Sequence, residues 1–338
     1  MAKTANYGQS CPHLLPAAQD HKNGKTSFFP SYGNKLKLAS LVALTMAGAS
    51  YAHASTPTHD ACKMTKLKHS DTLFRVPFKI VDGRVYLQAR VNGRGPFTFA
   101  IDTGASGMGR ADASLTSTLS LQVDKKAKSS DGISTATVNL VHFNSLELGG
   151  FKRKDFDVIT RDYNSGSPPE SAISGIIARD FFADGLLIID YPSQTLSFSR
   201  KRKLARGDKG VLEYTRPFRV PVSIGDMKTE GNLDTGANVT FVLPKSLFDK
   251  VTGSHLEEAG RGNLTNNKIE TKRSTVHGPF QIGNISVSDV DVRVSDRFPE
   301  LLIGSHVLQN FTVLIDQRSK SVALCKPSEV GHTNSDIP

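Results

Sequence analysis

Residues Arg84–Ala105 read RVYLQARVNGRGPFTFAIDTGA, and residues Arg216–Ala237 read RPFRVPVSIGDMKTEGNLDTGA. The two stretches align without a gap: Gly93 and Gly225 are 132 positions apart, and so are Asp102 and Asp234. The likeness runs on with small length changes. Val141-His142 answers Val276-His277, Leu148-Gly149 answers Ile282-Gly283, and Ser174–Phe198 answers Leu301–Leu324. Two copies of more than about 100 residues each predict two similar lobes related by a pseudo-two-fold, whereas a solenoid needs three or more short units.

Each copy reads mostly as strand. Phe74–Ile80 and Arg84–Val91 are alternating runs around Asp82-Gly83, Asn92-Gly93 is a hairpin signal, and Phe97–Ile101 follows. Gly225-Asp226 is the matching turn in the second copy. Short helices are expected to start at Asp180–Ala183 and His306–Gln309. The pattern predicts an all-β chain of two similar β-barrel-like lobes, at 72–200 and 210–326. The basic run at 201–209 reads as a solvated linker, 55–71 as a flexible arm and 327–338 as a tail.

The tetrapeptide Asp-Thr-Gly-Ala occurs at 102–105 and again at 234–237. At average residue frequencies a given tetrapeptide arises at about one position in 10⁵, so two at matched places in a repeat are a strong signal. An apolar run leads into each Asp, and Gly104 and Gly236 allow a tight turn and close backbone approach. A pseudo-two-fold brings the two carboxyls together, where they cannot both ionise easily and one keeps a proton. The charged one can act as general base on a water, and the protonated one can hydrogen-bond the carbonyl under attack. Thr103 and Thr235 can hydrogen-bond the opposite loop's backbone. The bland reading of Asp102 and Asp234 is a pair of turn-forming aspartates; their place in the duplication favours catalysis.

At these residues the chain resembles the aspartic proteases over about 250 residues, Phe74 to Leu324. It looks most like a bacterial single-chain, two-lobed relative of the retropepsin-like enzymes. The resemblance rests on the loops Asp102–Ser106 and Asp234–Asn238, on the later apolar-apolar-Gly motif at Leu302-Ile303-Gly304, and on the helix start after it. It implies an acid-protease fold, peptide hydrolysis by Asp102 and Asp234, and no metal or organic cofactor. Thr103, Gly104, Thr235 and Gly236 would support the pair. Substrate contacts would come from Ser106, from Asn238, and from Asp131 and Gly132 at the tip of a flap spanning Lys126–Thr137. Two departures stand out. Lobe one reads Ile176-Ile177-Ala178, with Ala in place of Gly, and neither this flap nor its counterpart near Asn266-Asn267 carries the Tyr of the pepsin flap.

The rest of the 338 residues bounds the setting. Charged residues at 22% and hydrophobic ones at 38% exclude a disordered chain and a multi-span membrane protein. Lys35 and Lys37, the apolar run Leu38–Ala49 and Ala52-His53-Ala54 match a signal peptide cut after Ala54. Removing residues 1–54 leaves a net charge of +6 from the full chain's +10. Cys62 and Cys325 flank the folded region and either pair or stay as two thiols. Asn238-Val239-Thr240 is a glycosylation sequon beside the second Asp, so a bacterial periplasm or exterior suits a working protease better than a eukaryotic secretory route. The expected partner is a peptide or protein substrate, with no nucleic acid and no stable membrane span after processing. With both aspartates on one chain, a monomer suffices. Lys63, Lys66 and Lys68 raise the option of a short pro-segment reaching the dyad. A non-catalytic peptide-binding module and an anionic-surface adhesin are the rival readings.

Overall fold

The computed structural model describes residues 5–6, 59–251, 253–264 and 266–327. The expected signal segment and its cleavage site lie outside them. No helix among the described residues is long and apolar enough to cross a membrane.

The described residues form three sheets. The lobe-one sheet runs in the order 79–81, 84–91, 94–102, 175–178, 109–112, 151–161, 135–148, 125–130. A further pairing of Arg90 and Val91 with Glu147 and Leu146 curls it back on itself. Lobe two repeats the plan in the order 257–263, 268–276, 290–295, 241–244, 301–304, 227–234, 219–224, 280–282, 285–287, and Ala5–Asn6 pairs in parallel at its edge. The strands carrying each Asp are half exposed at their start and fully buried at their end, in line with the apolar residues that lead into the aspartates. Gly175–Ala178 and Leu301–Gly304 are buried on both faces and pair in parallel with those strands.

The third sheet joins the lobes. Its order is 211–213, 321–325, 312–316, 186–190, 195–199, 74–77. Leu186–Asp190 and Thr312–Asp316 pair antiparallel about Ile188 and Leu314, which the repeat makes equivalent, so the pseudo-two-fold passes through this pair. Side chains alternate faces along a strand. Leu187, Ile189, Val313 and Ile315 therefore enter the main core, while Leu186, Ile188, Leu314 and Ala323 point to the other side.

That other side corrects two expectations. The arm is not a free tail: Ala61–Met64 forms a 3-10 turn capped by the Asp60 carboxylate, and Ala61, Met64 and Leu67 pack on the outer face of the sheet. The linker is not simply solvated either. Leu204 is buried in the same cluster, and the Arg318 guanidinium donates to the carbonyls of Arg200 and Arg202. Both segments are needed because a sheet this apolar on both faces must bury both. Cys62 and Cys325 are disulfide-bonded across this layer, with their Cα atoms 5.5 Å apart.

The run Phe74–Ile80 also differs from a single strand. Phe74–Pro77 belongs to the joining sheet and Lys79–Val81 to lobe one. Pro77 lacks a ladder donor, and Phe78 turns into the core edge-on to Tyr191, with ring centroids 5.7 Å apart.

Candidate active site

The two Asp-Thr-Gly loops meet where the lobes join. Asp102 is 3% exposed and Asp234 0%. Each carboxylate is held by its own loop: Asp102 Oδ1 accepts from the Ala105 N–H at 2.9 Å, and Asp234 Oδ1 from the Gly236 N–H at 2.9 Å. The two loops approach so closely that each glycine backbone lies against the other loop's carboxyl. Two buried carboxyls this near cannot both ionise easily. Burial pushes the Asp102 carboxyl above the usual carboxylate range, opposed by the Ala105 amide, the Arg110 guanidinium and the neighbouring Asp234.

The glycines set how closely the loops approach. A Cβ on Gly104 would lie 2.7 Å from Asp234 Oδ1, and one on Gly236 would lie 2.7 Å from both oxygens of Asp102. Any side chain at either position would push the facing carboxyl away. The threonines brace the loops reciprocally. Thr103 Oγ1 accepts from the Thr235 N–H at 3.1 Å and donates to the Leu233 carbonyl at 3.3 Å. Thr235 Oγ1 accepts from the Thr103 N–H at 3.1 Å and donates to the Ile101 carbonyl at 3.0 Å. Both threonines are buried, so all four groups depend on these partners.

Under each loop lies the end of the parallel strand. In lobe one the N–H groups of Ala178, Arg179 and Asp180 donate to the carbonyls of Met108, Ala105 and Gly107. In lobe two Gly304, Ser305 and His306 donate to Thr240, Ala237 and Val239. The three bonds correspond one for one through the repeat. The side chains do not correspond. Ser305 Oγ donates to the Ala237 carbonyl at 2.8 Å, while the buried Arg179 guanidinium donates to the Gly104 carbonyl at 3.2 Å. Arg179 is a contact that the sequence analysis missed. Its signal was the departure beside it at Ala178.

The other residues expected around the site take varied places. Ser106 lies half-buried in the first loop. The Asn238 amide donates to Asp82 Oδ2 at 2.6 Å, and His306 Nε2 lies 3.0 Å from Asp82 Oδ1. Asn238 thus ties the Asp82–Gly83 turn of lobe one to lobe two. Asp131 is 2% exposed and serves as a hub. Its Oδ1 accepts from the N–H groups of Ile133 and Ser134, and its Oδ2 from the Asn266 N–H at 2.8 Å and the Asn267 amide at 3.0 Å. Asn266 donates in return to the carbonyls of Ser129 and Ser134. Gly132 turns the tip, its N–H on Ser130 Oγ. Ile133 packs against a lobe-two cluster that includes Ala237 and Val239, directly after the second Asp loop. The hairpin tips of the two lobes are therefore locked together beside the dyad. Lys63, Lys66 and Lys68 belong to the arm on the joining sheet's outer face.

This architecture is the two-lobed acid-protease fold. A family model described as aspartyl protease matches residues 87–181 and 220–307, one segment in each repeat and together more than half of the chain. The chain belongs to the aspartyl protease family. No curated protein matches it.

Proposed function

We propose that the chain is an aspartic endopeptidase in which Asp102 and Asp234 activate one water between them. The observation that carries this reading is the meeting of two buried carboxyls, on loops in close contact and each fixed by an amide of its own loop. The ionised carboxylate takes a proton from water as its oxygen attacks the peptide carbonyl carbon. The protonated carboxyl donates a hydrogen bond to the carbonyl oxygen that gathers charge. Collapse of the tetrahedral intermediate breaks the C–N bond, and the nitrogen leaves with a proton from the pair. Water thus ends as one hydroxyl on the new acid and one proton on the new amine, and no covalent enzyme intermediate forms.

An extended peptide is the substrate this reading calls for, since protein hydrolysis is the family's chemistry. A peptide that enters between the hairpin tips would have to part the contact of Asp131 with Asn266 and Asn267. The Cys62–Cys325 bond supports export, because disulfides persist in oxidising compartments. One chain supplies both aspartates, so activity should not depend on concentration through dimerisation.

The test is digestion of an unfolded protein mixture across acidic to neutral pH, with a statin-type inhibitor as control. Inhibitor-sensitive fragments are expected. A folded chain that binds the inhibitor and cuts nothing at any pH would replace the enzyme with a peptide-binding module.

A further inference from the structure

The outer layer of the joining sheet carries a feature that proteolysis does not use. Residues 59–72, 200–213 and 316–327 form one surface. Lys209 exchanges backbone hydrogen bonds with Ala61 and His59, Lys201 Nζ donates to the Ser70 carbonyl, Arg206 to the Ser319 carbonyl, and Arg318 to the Arg200 carbonyl. The disulfide closes the set.

This layer holds nearly all the net charge. Residues 59–327 carry 37 Lys and Arg against 29 Asp and Glu, a net of +8. The three segments carry 12 against 5, a net of +7, which leaves +1 for the rest of residues 59–327. The four arginines of the layer each lie within 4.0 Å of a carboxylate. Its eight lysines are all exposed, and none has an ion-pair partner among the described residues. They include Lys63, Lys66 and Lys68 on the arm, and Lys201 and Lys203 on the linker. Leu73, one of two exposed large apolar side chains among the described residues, emerges beside them at 43% exposure, next to Thr72 and the Asp71–Arg202 pair.

We propose that this face docks the protein on an anionic lipid surface, with lysine ammonium groups against headgroup phosphates and Leu73 in the interfacial layer. Three observations select lipid over nucleic acid. The free charges are compact ammonium groups and not guanidinium forks. No exposed Phe or Tyr ring is available for bases to stack on among the described residues. The exposed Leu73 gains only against an apolar interior. Each lysine near such a surface adds about a fivefold gain in partitioning, so a cluster binds without a membrane span. The docking is independent of the chemistry at the dyad, and its test needs no activity.

The experiment is co-sedimentation of the chain with phosphatidylglycerol–phosphatidylcholine vesicles and with phosphatidylcholine vesicles. The triple variant Lys63→Glu, Lys66→Glu, Lys203→Glu is compared with a control of equal net charge, Arg94→Glu, Lys228→Glu, Lys250→Glu, drawn from exposed positions elsewhere. Binding is expected to anionic vesicles only and to weaken as salt rises. The face variant should lose at least about a hundredfold, the control less than about threefold, and Leu73→Ser several-fold. Equal losses in the two triple variants would overturn the proposal, as would absent wild-type binding. Binding to duplex DNA as tight as to anionic vesicles, abolished by the same face variant, would reassign the partner.

Discussion

The two lobes share a backbone plan and differ in how each loop is seated. In lobe two a Cβ on Gly304 would collide with the Val239 carbonyl and lie 2.8 Å from that of Ala237, so glycine is required. In lobe one Ala178 occupies the same place, fully buried. The residue equivalent to Val239 is Gly107, at φ +81°, a conformation that side chains rarely adopt. The loop facing Ala178 therefore follows a path closed to its counterpart, and the pair Gly107–Ala178 replaces the pair Val239–Gly304. The duplication preserves what the two carboxyls need, which is three backbone bonds under each loop. It leaves the filling of the space around them free to drift.

The largest stability effect should come from exchanging these seats. Gly304→Ala should cost about 3 kcal/mol, because a methyl is forced against backbone. Ala178→Gly should cost about 1 kcal/mol, from backbone entropy and a small void. Denaturant melts of both variants check the contrast, and equal costs would mean that the seats are interchangeable. The threonines test the opposite property. Thr103→Val and Thr235→Val each remove one accepted and one donated bond and strand the other lobe's buried N–H, so each should lose about 2–3 kcal/mol. A difference between the two above about 1 kcal/mol would show that the brace is one-sided.

A smaller effect is expected at the hairpin tips, where the lobes are again unlike. The hub carboxylate belongs to lobe one, and its amide donors belong to lobe two. Asp131→Ala should speed amide exchange at both tips, residues 131–134 and 264–267. Faster exchange in the lobe-one tip alone would mean that the contact holds nothing shut. The gentlest test is pH. The Asp102 carboxyl titrates above its ordinary value when folded, so the folded state binds the extra proton. The pair's stability is then fully present below the ordinary carboxylate range and is lost as pH rises through the raised value. Asp102→Asn carries no such penalty. Relative to wild type it should gain stability from about pH 4 upward, by at most about 1.4 kcal/mol per pH unit. A flat difference across that range would contradict the burial argument.

Much of this was legible from the sequence because the repeat reports itself twice. The paired Asp-Thr-Gly-Ala loops, the hairpin turns at Asn92-Gly93 and Gly225-Asp226, and the two flap tips are local patterns that survive duplication. Contacts between unlike residues far apart in the chain were not legible. The Asp131 hub needs Asn266 and Asn267, 135 or more positions away, and Arg179 reaches Gly104 across 75. The arm and linker misled because both are polar and basic on average. Burial there depends on a few residues, Ala61, Met64, Leu67 and Leu204, spaced among exposed lysines. No spacing could separate a disulfide from two thiols; the Cα separation of 5.5 Å does.

The central claim is that each lobe supplies one half of a single acid–base device. The most direct test is kcat/KM on one unfolded substrate for Asp102→Asn and Asp234→Asn, each verified as folded. Both variants should fall at least about a thousandfold, since neither can hold the shared proton beside a charge. Activity within about tenfold of wild type in either variant would mean that the lobes do not share the chemistry.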